Sequence, residues 1–206
     1  MIRLILFLAL LCCGGVALGQ AWPFDYSGYK QLPKTYRYCD SVAMHIVPDR
    51  PCAYWAYIRS YGVDDDAPPF FYSQGIKPAG LRFKMPIGGG FFGGCLPALC
   101  FAYIGYVRDG EVGYVTTPKQ CAQFIGKVDN MEEALLLCLL NDRVMVDTEF
   151  KGAAYKKTKD GYEFVLCKYT PCPQNFEAIH YSLNEATIVK KESLGVYRTL
   201  EGCVMY

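Results

Sequence analysis

Apolar and polar positions alternate with a period of two through much of the second half of the chain. In "FAYIGYVRDGEVGYVTT" two such runs meet at Asp109-Gly110, a strong hairpin signal that sets Arg108 opposite Glu111. "AAYKKTKDGYEFVLCKYT" predicts a second hairpin over Asp160-Gly161, and "FEAIHYSLNEATIVKKE" a third turning at Asn184-Glu185. "RVMVDTEF" alternates as a strand. Between them the period changes. "TPKQCAQFIG" predicts a helix with Thr117 as cap, Pro118 first and Gln120 closing a capping box. "DNMEEALLLCLLND" predicts another, capped by Asp129 or Asn130, with Glu132 and Glu133 in its first turn.

The first half is less regular. "PDRPCAYWAYIRSYG" reads as a helix, with Asp49 as cap, Pro51 in the first turn and Gly62 as its end. Tyr54, Tyr57, Ile58 and Tyr61 then share one face, and Trp55 and Arg59 lie four apart on the other, where a cation can stack on a ring. "SVAMHIVP" reads as a strand with Val42, Met44 and Ile46 on one face and His45 on the other. His180 likewise points away from Ile179, Tyr181 and Leu183, so both histidines are expected at the surface. Together these elements predict an α+β fold: an antiparallel sheet of hairpins with a few short helices, bonded by disulfides. The expected organisation is a signal peptide over 1–19, an aromatic-rich N-terminal lobe over 20–97 with one helix and a glycine-rich loop, and a hairpin domain over 98–206.

The first twenty residues change the picture most. "MIRLILFLALLCCGGVALGQ" has one basic residue, an apolar stretch, then Ala17-Leu18-Gly19, which predicts cleavage after Gly19 and export. Leu11 and Cys12 disfavour lipidation at Cys12 or Cys13. Loss of Arg3 leaves basic and acidic residues in equal number, so the chain has no excess positive charge with which to hold nucleic acid. Nine cysteines follow the leader, an odd number, and in an exported chain they predict disulfides with at least one free thiol. Cys95/Cys100 and Cys167/Cys172 share a spacing that would also allow a zinc site, against which the oxidising compartment argues. Cys138, inside "ALLLCLL", is the expected buried free thiol.

Candidate chemistry is sparse. Five of the seven residues from Gly88 to Gly94 are glycine, but no Lys-Ser/Thr follows, so no Walker loop is present. Pro97 and a strand-like run, where a helix would be needed, exclude a dinucleotide fingerprint. A plain loop closed by cysteines is expected there, with a membrane-inserting tip at Phe91 and Phe92 as the alternative. Cys95 is the best-placed candidate for a nucleophilic thiol, although neither histidine is placed to serve it as a base. Asp64-Asp65-Asp66 reads as a solvated loop. Thirteen residues from Trp22 to Tyr72 are aromatic, which provides either a core or a binding surface. The candidate ligand-binding residues are Trp55, Arg59, Phe70, Phe71, Tyr72, Phe91 and Phe92; no catalytic residue, metal site or cofactor is assigned.

"FIGKVDNMEEALLL" resembles a phrase found in uncharacterised exported proteins of Bacteroidetes-type bacteria, where a Gly-Tyr hairpin also follows. The resemblance covers the last hundred or so residues and implies no activity. The expected function is an exported, non-catalytic binding or interaction module for a protein or carbohydrate, secreted, periplasmic or attached to the envelope. An exported enzyme with a cysteine-based or unrecognised site is the alternative, and a protein active at membrane surfaces is the second.

Overall fold

The alternating runs pair as their turns require. The computed structural model describes residues 22, 24–60, 70–92, 101–185 and 187–203. The expected signal peptide, Asp64–Asp66, Cys95 and Cys100 lie outside the described residues. In chain order the elements are β1 (Lys30–Gln31), α1 (Cys39–Ala43), β2 (Tyr54–Ser60), β3 (Phe70–Gly75), β4 (Phe101–Arg108) and β5 (Glu111–Val115). Then come α2 (Pro118–Ile125), α3 (Met131–Asn141), β6 (Val144–Met145), β7 (Ala153–Lys157), β8 (Gly161–Pro171), β9 (Gln174–Asn184) and β10 (Thr187–Leu200). One sheet runs β1–β7–β8–β9–β10 with β6 beside β8, and the other runs β3–β2–β4–β5. The pairings are antiparallel and the helices short, so the fold is α+β.

Local chemistry accounts for the joints. Asp109 and Gly110 both have positive φ, 53° and 82°, as the tight hairpin turn requires, and Arg108 pairs with Glu111. Thr117 and Gln120 form the full capping box of α2, and the Asn130 side chain accepts from the Glu133 amide at the start of α3. Every residue of α3 from Glu133 to Leu139 is buried, which makes it the central helix. The main core gathers Trp55, Tyr57 and Ile104 of the smaller sheet, the helices, and Phe164, Leu166, Ile179 and Tyr181 of the larger one.

The outer face of each sheet is covered by an extended segment. Phe83 lies against Tyr54, Ile58 and Tyr103 on the smaller sheet. There Gly105 leaves the room: a Cβ would stand 2.6 Å from the Phe83 ring. Trp22, Phe24, Tyr26 and Tyr29 form a strap over Ala154, Val165 and Ala178 of the larger sheet.

Two expectations are corrected. Residues 54–60 form strand β2, not a helix. The strand lies between β3 and β4 and is buried on both faces, so its apolar run has no polar alternation to mark it. Its aromatic and β-branched residues suit a strand. Residues 39–43 are helical where a strand was expected, and His45 lies in the exposed turn beyond. β2 and β4, one from each side of the expected boundary at 97/98, pair along their length.

Among the described residues a disulfide joins Cys172 to Cys203, which removes Cys172 from any zinc set. Cys39, Cys52, Cys121, Cys138 and Cys167 are free, and Cys138 is fully buried on α3, as its apolar setting implied.

Candidate functional site

Of the aromatic residues singled out in the sequence, Trp55 and Phe91 are buried in the core. Trp55 is 2% exposed, donates its Nε1–H to Gln74 at 3.1 Å and packs against Tyr72 and Phe124. Arg59 does not stack on it. Four residues along a strand span about 13 Å, against about 6 Å along a helix. Arg59 instead meets the Asp40 carboxylate at 2.7 Å, and Asp40 also accepts from the Tyr57 hydroxyl at 2.9 Å. Phe70 and Phe71 open β3, but their side chains lie outside the description. Phe91 is 5% exposed, exchanges two backbone hydrogen bonds with Ala102 and packs on Phe92, so it belongs to the core and not to an inserting tip.

At four of the described cysteines burial opposes thiol chemistry. Burial pushes the Cys39 and Cys167 thiols up to about 11 and Cys121 to about 12, and raises Cys138 well above its ordinary value. A nucleophilic thiol needs the opposite shift. Among the described residues no group of three His, Cys, Asp or Glu side chains is placed to hold a metal ion, and no helix is long and apolar enough to cross a membrane.

His180 is corrected as well. It is 5% exposed, because the N-terminal strap covers the face to which the alternation sends it. Tyr29 donates to Glu163 at 2.6 Å, and His180 Nε2 lies 3.2 Å from the same hydroxyl. The other ring nitrogen lies 3.1 Å from Glu192, which also holds Lys190 at 2.7 Å. Tyr29 has one proton to give, and Glu163 takes it. The imidazole thus bridges the Tyr29 hydroxyl and the Glu192 carboxylate. This set pins the strap.

The concavity with binding character lies on the other face of the same sheet, where β9 and β10 extend past the end of α3. It is a cavity of about 390 Å³, a size typical of small-ligand sites. Val144, Ile179 and Tyr181 form an apolar floor. The rim carries Asp142, Arg143, Lys168, Glu177, Lys191 and Ser193. Register puts them there: Val144 pairs with Lys168, Lys168 with Glu177, Lys191 with Tyr181, and Ser193 with Ile179. Asp142, just past α3, accepts from Tyr181 at 3.0 Å and meets Lys191 at 2.5 Å. Glu177 accepts from the Ser193 hydroxyl and faces Lys168 at 3.7 Å. Arg143 makes no ion pair among the described residues. The rim thus offers paired charges of both signs and one spare cation.

Sequence reasoning missed this site because its members come from four segments, each reading as an ordinary solvated strand face. The alternation of "AIHYSL" and "VKKES" put them on one side; only the pairing of β9 with β10 put them together. Comparison with known protein families, curated proteins and solved structures found no match for this chain.

Proposed function

We propose that the protein is an exported, non-catalytic binding module that takes a short peptide or a chain terminus in the cavity between β8, β9, β10 and the end of α3. The observation that carries this reading is an apolar floor beneath a rim of both signs. A peptide terminus brings a charge and amide groups that need donors and acceptors, followed by an apolar side chain for the floor. Each rim pair supplies a donor beside an acceptor, and Arg143 can meet a carboxylate. The leader-like first twenty residues and the Cys172–Cys203 disulfide support export. The raised thiols weigh against a cysteine enzyme.

The test is an amide chemical-shift titration with the dipeptides Gly-Leu and Lys-Leu at millimolar concentration, free and with capped ends. Free dipeptides should shift Ile179, Tyr181 and Ser193 saturably, capping should weaken them, and Arg143→Ala with Lys191→Ala should abolish the effect. Shifts that ignore the end groups, or none at all, would overturn the reading.

A further inference from the structure

At the opposite edge of the larger sheet, where β1 and β7 meet the start of α3, lies a separate cleft of about 340 Å³. Its walls include Lys30, Lys156, Lys157, Tyr155, Tyr162 and Met131, and no carboxylate lines it. The strand register builds it. Lys30 stands opposite Tyr155 and Lys157 opposite Tyr162, so two neighbouring rungs each offer an ammonium and a phenol on one face. Lys156 points to the other face, and its stem runs past Gly28: a Cβ there would lie 3.5 Å from the lysine Cε. Gly28 has a φ of 80°, so the turn that admits this stem also favours glycine. A second cavity adjoins, sharing Lys157 and Tyr162 and adding Lys127 and Lys159 beside Asp129, Asp160 and Glu185.

What sets these lysines apart is the wall they share, which holds no carboxylate. Lys168, Lys190 and Lys191 face carboxylates at 3.7, 2.7 and 2.5 Å. Among the described residues Lys30, Lys156 and Lys157 have none within 4.0 Å. The nearby carboxylates are engaged elsewhere. Glu132 accepts from the Tyr36 hydroxyl at 2.5 Å, Glu133 from the amides of Val47 and Asp129, and Asp25 from Ser27. Lys30 and Lys157, like charges beside one concavity, repel each other, and an anion seated between them removes that repulsion.

We infer that this cleft binds a small tetrahedral oxyanion ester, a phosphate or sulfate group on a sugar-sized body. Lys30, Lys157 and the tyrosine hydroxyls donate to its oxygens, and the body lies against Met131. Ammonium groups turn freely and meet oxygens from several directions, as lysines do at phosphate sites. The cleft lies on the β1–β7 side of the sheet and the peptide cavity on the β10 side, so failure of either assignment leaves the other standing.

Calorimetry on the whole protein with glucose 6-phosphate, glucose 6-sulfate and glucose is the test. One or both esters should bind saturably and glucose should not. The preferred ester identifies the source of the oxyanion. Lys30→Ala with Lys157→Ala should weaken binding about tenfold or more, the scale of one or two charge-assisted hydrogen bonds, and the paired arginine substitutions should retain most of it. Lys190→Ala, whose lysine is already paired, should change nothing, and added salt should weaken the complex. Melting curves that match the wild type would show each variant folded, and Lys157→Gln alone serves if the double variant does not fold. No saturable binding of either ester would sink the assignment, as would unchanged affinity in the lysine variants.

Discussion

Single residues set limits here that composition does not show. Two glycines in different settings illustrate it. At Gly110 a Cβ would meet nothing within 4 Å, so Gly110→Ala costs only the strain of its φ of 82°, about 1 kcal/mol. At Gly90 a Cβ would stand 2.1 Å from the Ala102 carbonyl oxygen, across the bridge that holds Phe91 in the core. Gly90→Ala should therefore lose more than about 2 kcal/mol in urea unfolding. A mobile, dispensable glycine loop would give equal and small losses at both.

Glu133 makes a pH-dependent case. Burial raises its carboxyl above the ordinary 4.5, although backbone amides from Asp129, Val47 and Asn130 pull it down. The native state then holds this proton more tightly than the unfolded chain. Stability falls as pH rises from the ordinary value through the native one, and the loss is complete above it. Glu133→Gln cannot ionise. It should be the less stable protein at about pH 4, having lost one acceptor, and the gap to wild type should narrow toward about pH 7. Parallel urea midpoints across that range would refute the assignment.

At the scale of elements, what the sequence made legible follows from where each element lies. The hairpins β4–β5, β7–β8 and β9–β10 and the helices α2 and α3 were readable because each carries its own turn or cap, and one face of most strands meets solvent. β2 was not. Buried on both faces, it shows the continuous apolar pattern that a buried helix also shows, and Asp49, Pro51 and Gly62 supplied false ends. The stacking of Arg59 on Trp55 went with it, because the two belong together only on a helix. His180 was sent to the correct face by its alternation, but a strap more than 150 residues away in sequence covers that face. Periodicity is local, and it cannot report such a lid.

On the scale of the whole molecule, the chain closes on itself at both ends of the larger sheet. The N-terminal strap lies over β7, β8 and β9, and the disulfide at the far end ties the β8–β9 turn to the residues just beyond β10. The bond closes a stretch of 31 residues, worth roughly 3–4 kcal/mol through the unfolded chain. It also decides what a protease can release. Glu185 sits exposed in the β9–β10 turn, with a φ of 53°, at the tip where enzymes cut most readily. A glutamyl endopeptidase that nicks there would part the backbone without parting the protein. Both pieces should travel as one band in a denaturing gel without reductant and as two after it is added; separation before reduction would show Cys172 and Cys203 unjoined. Such a protein could be cut and still arrive whole.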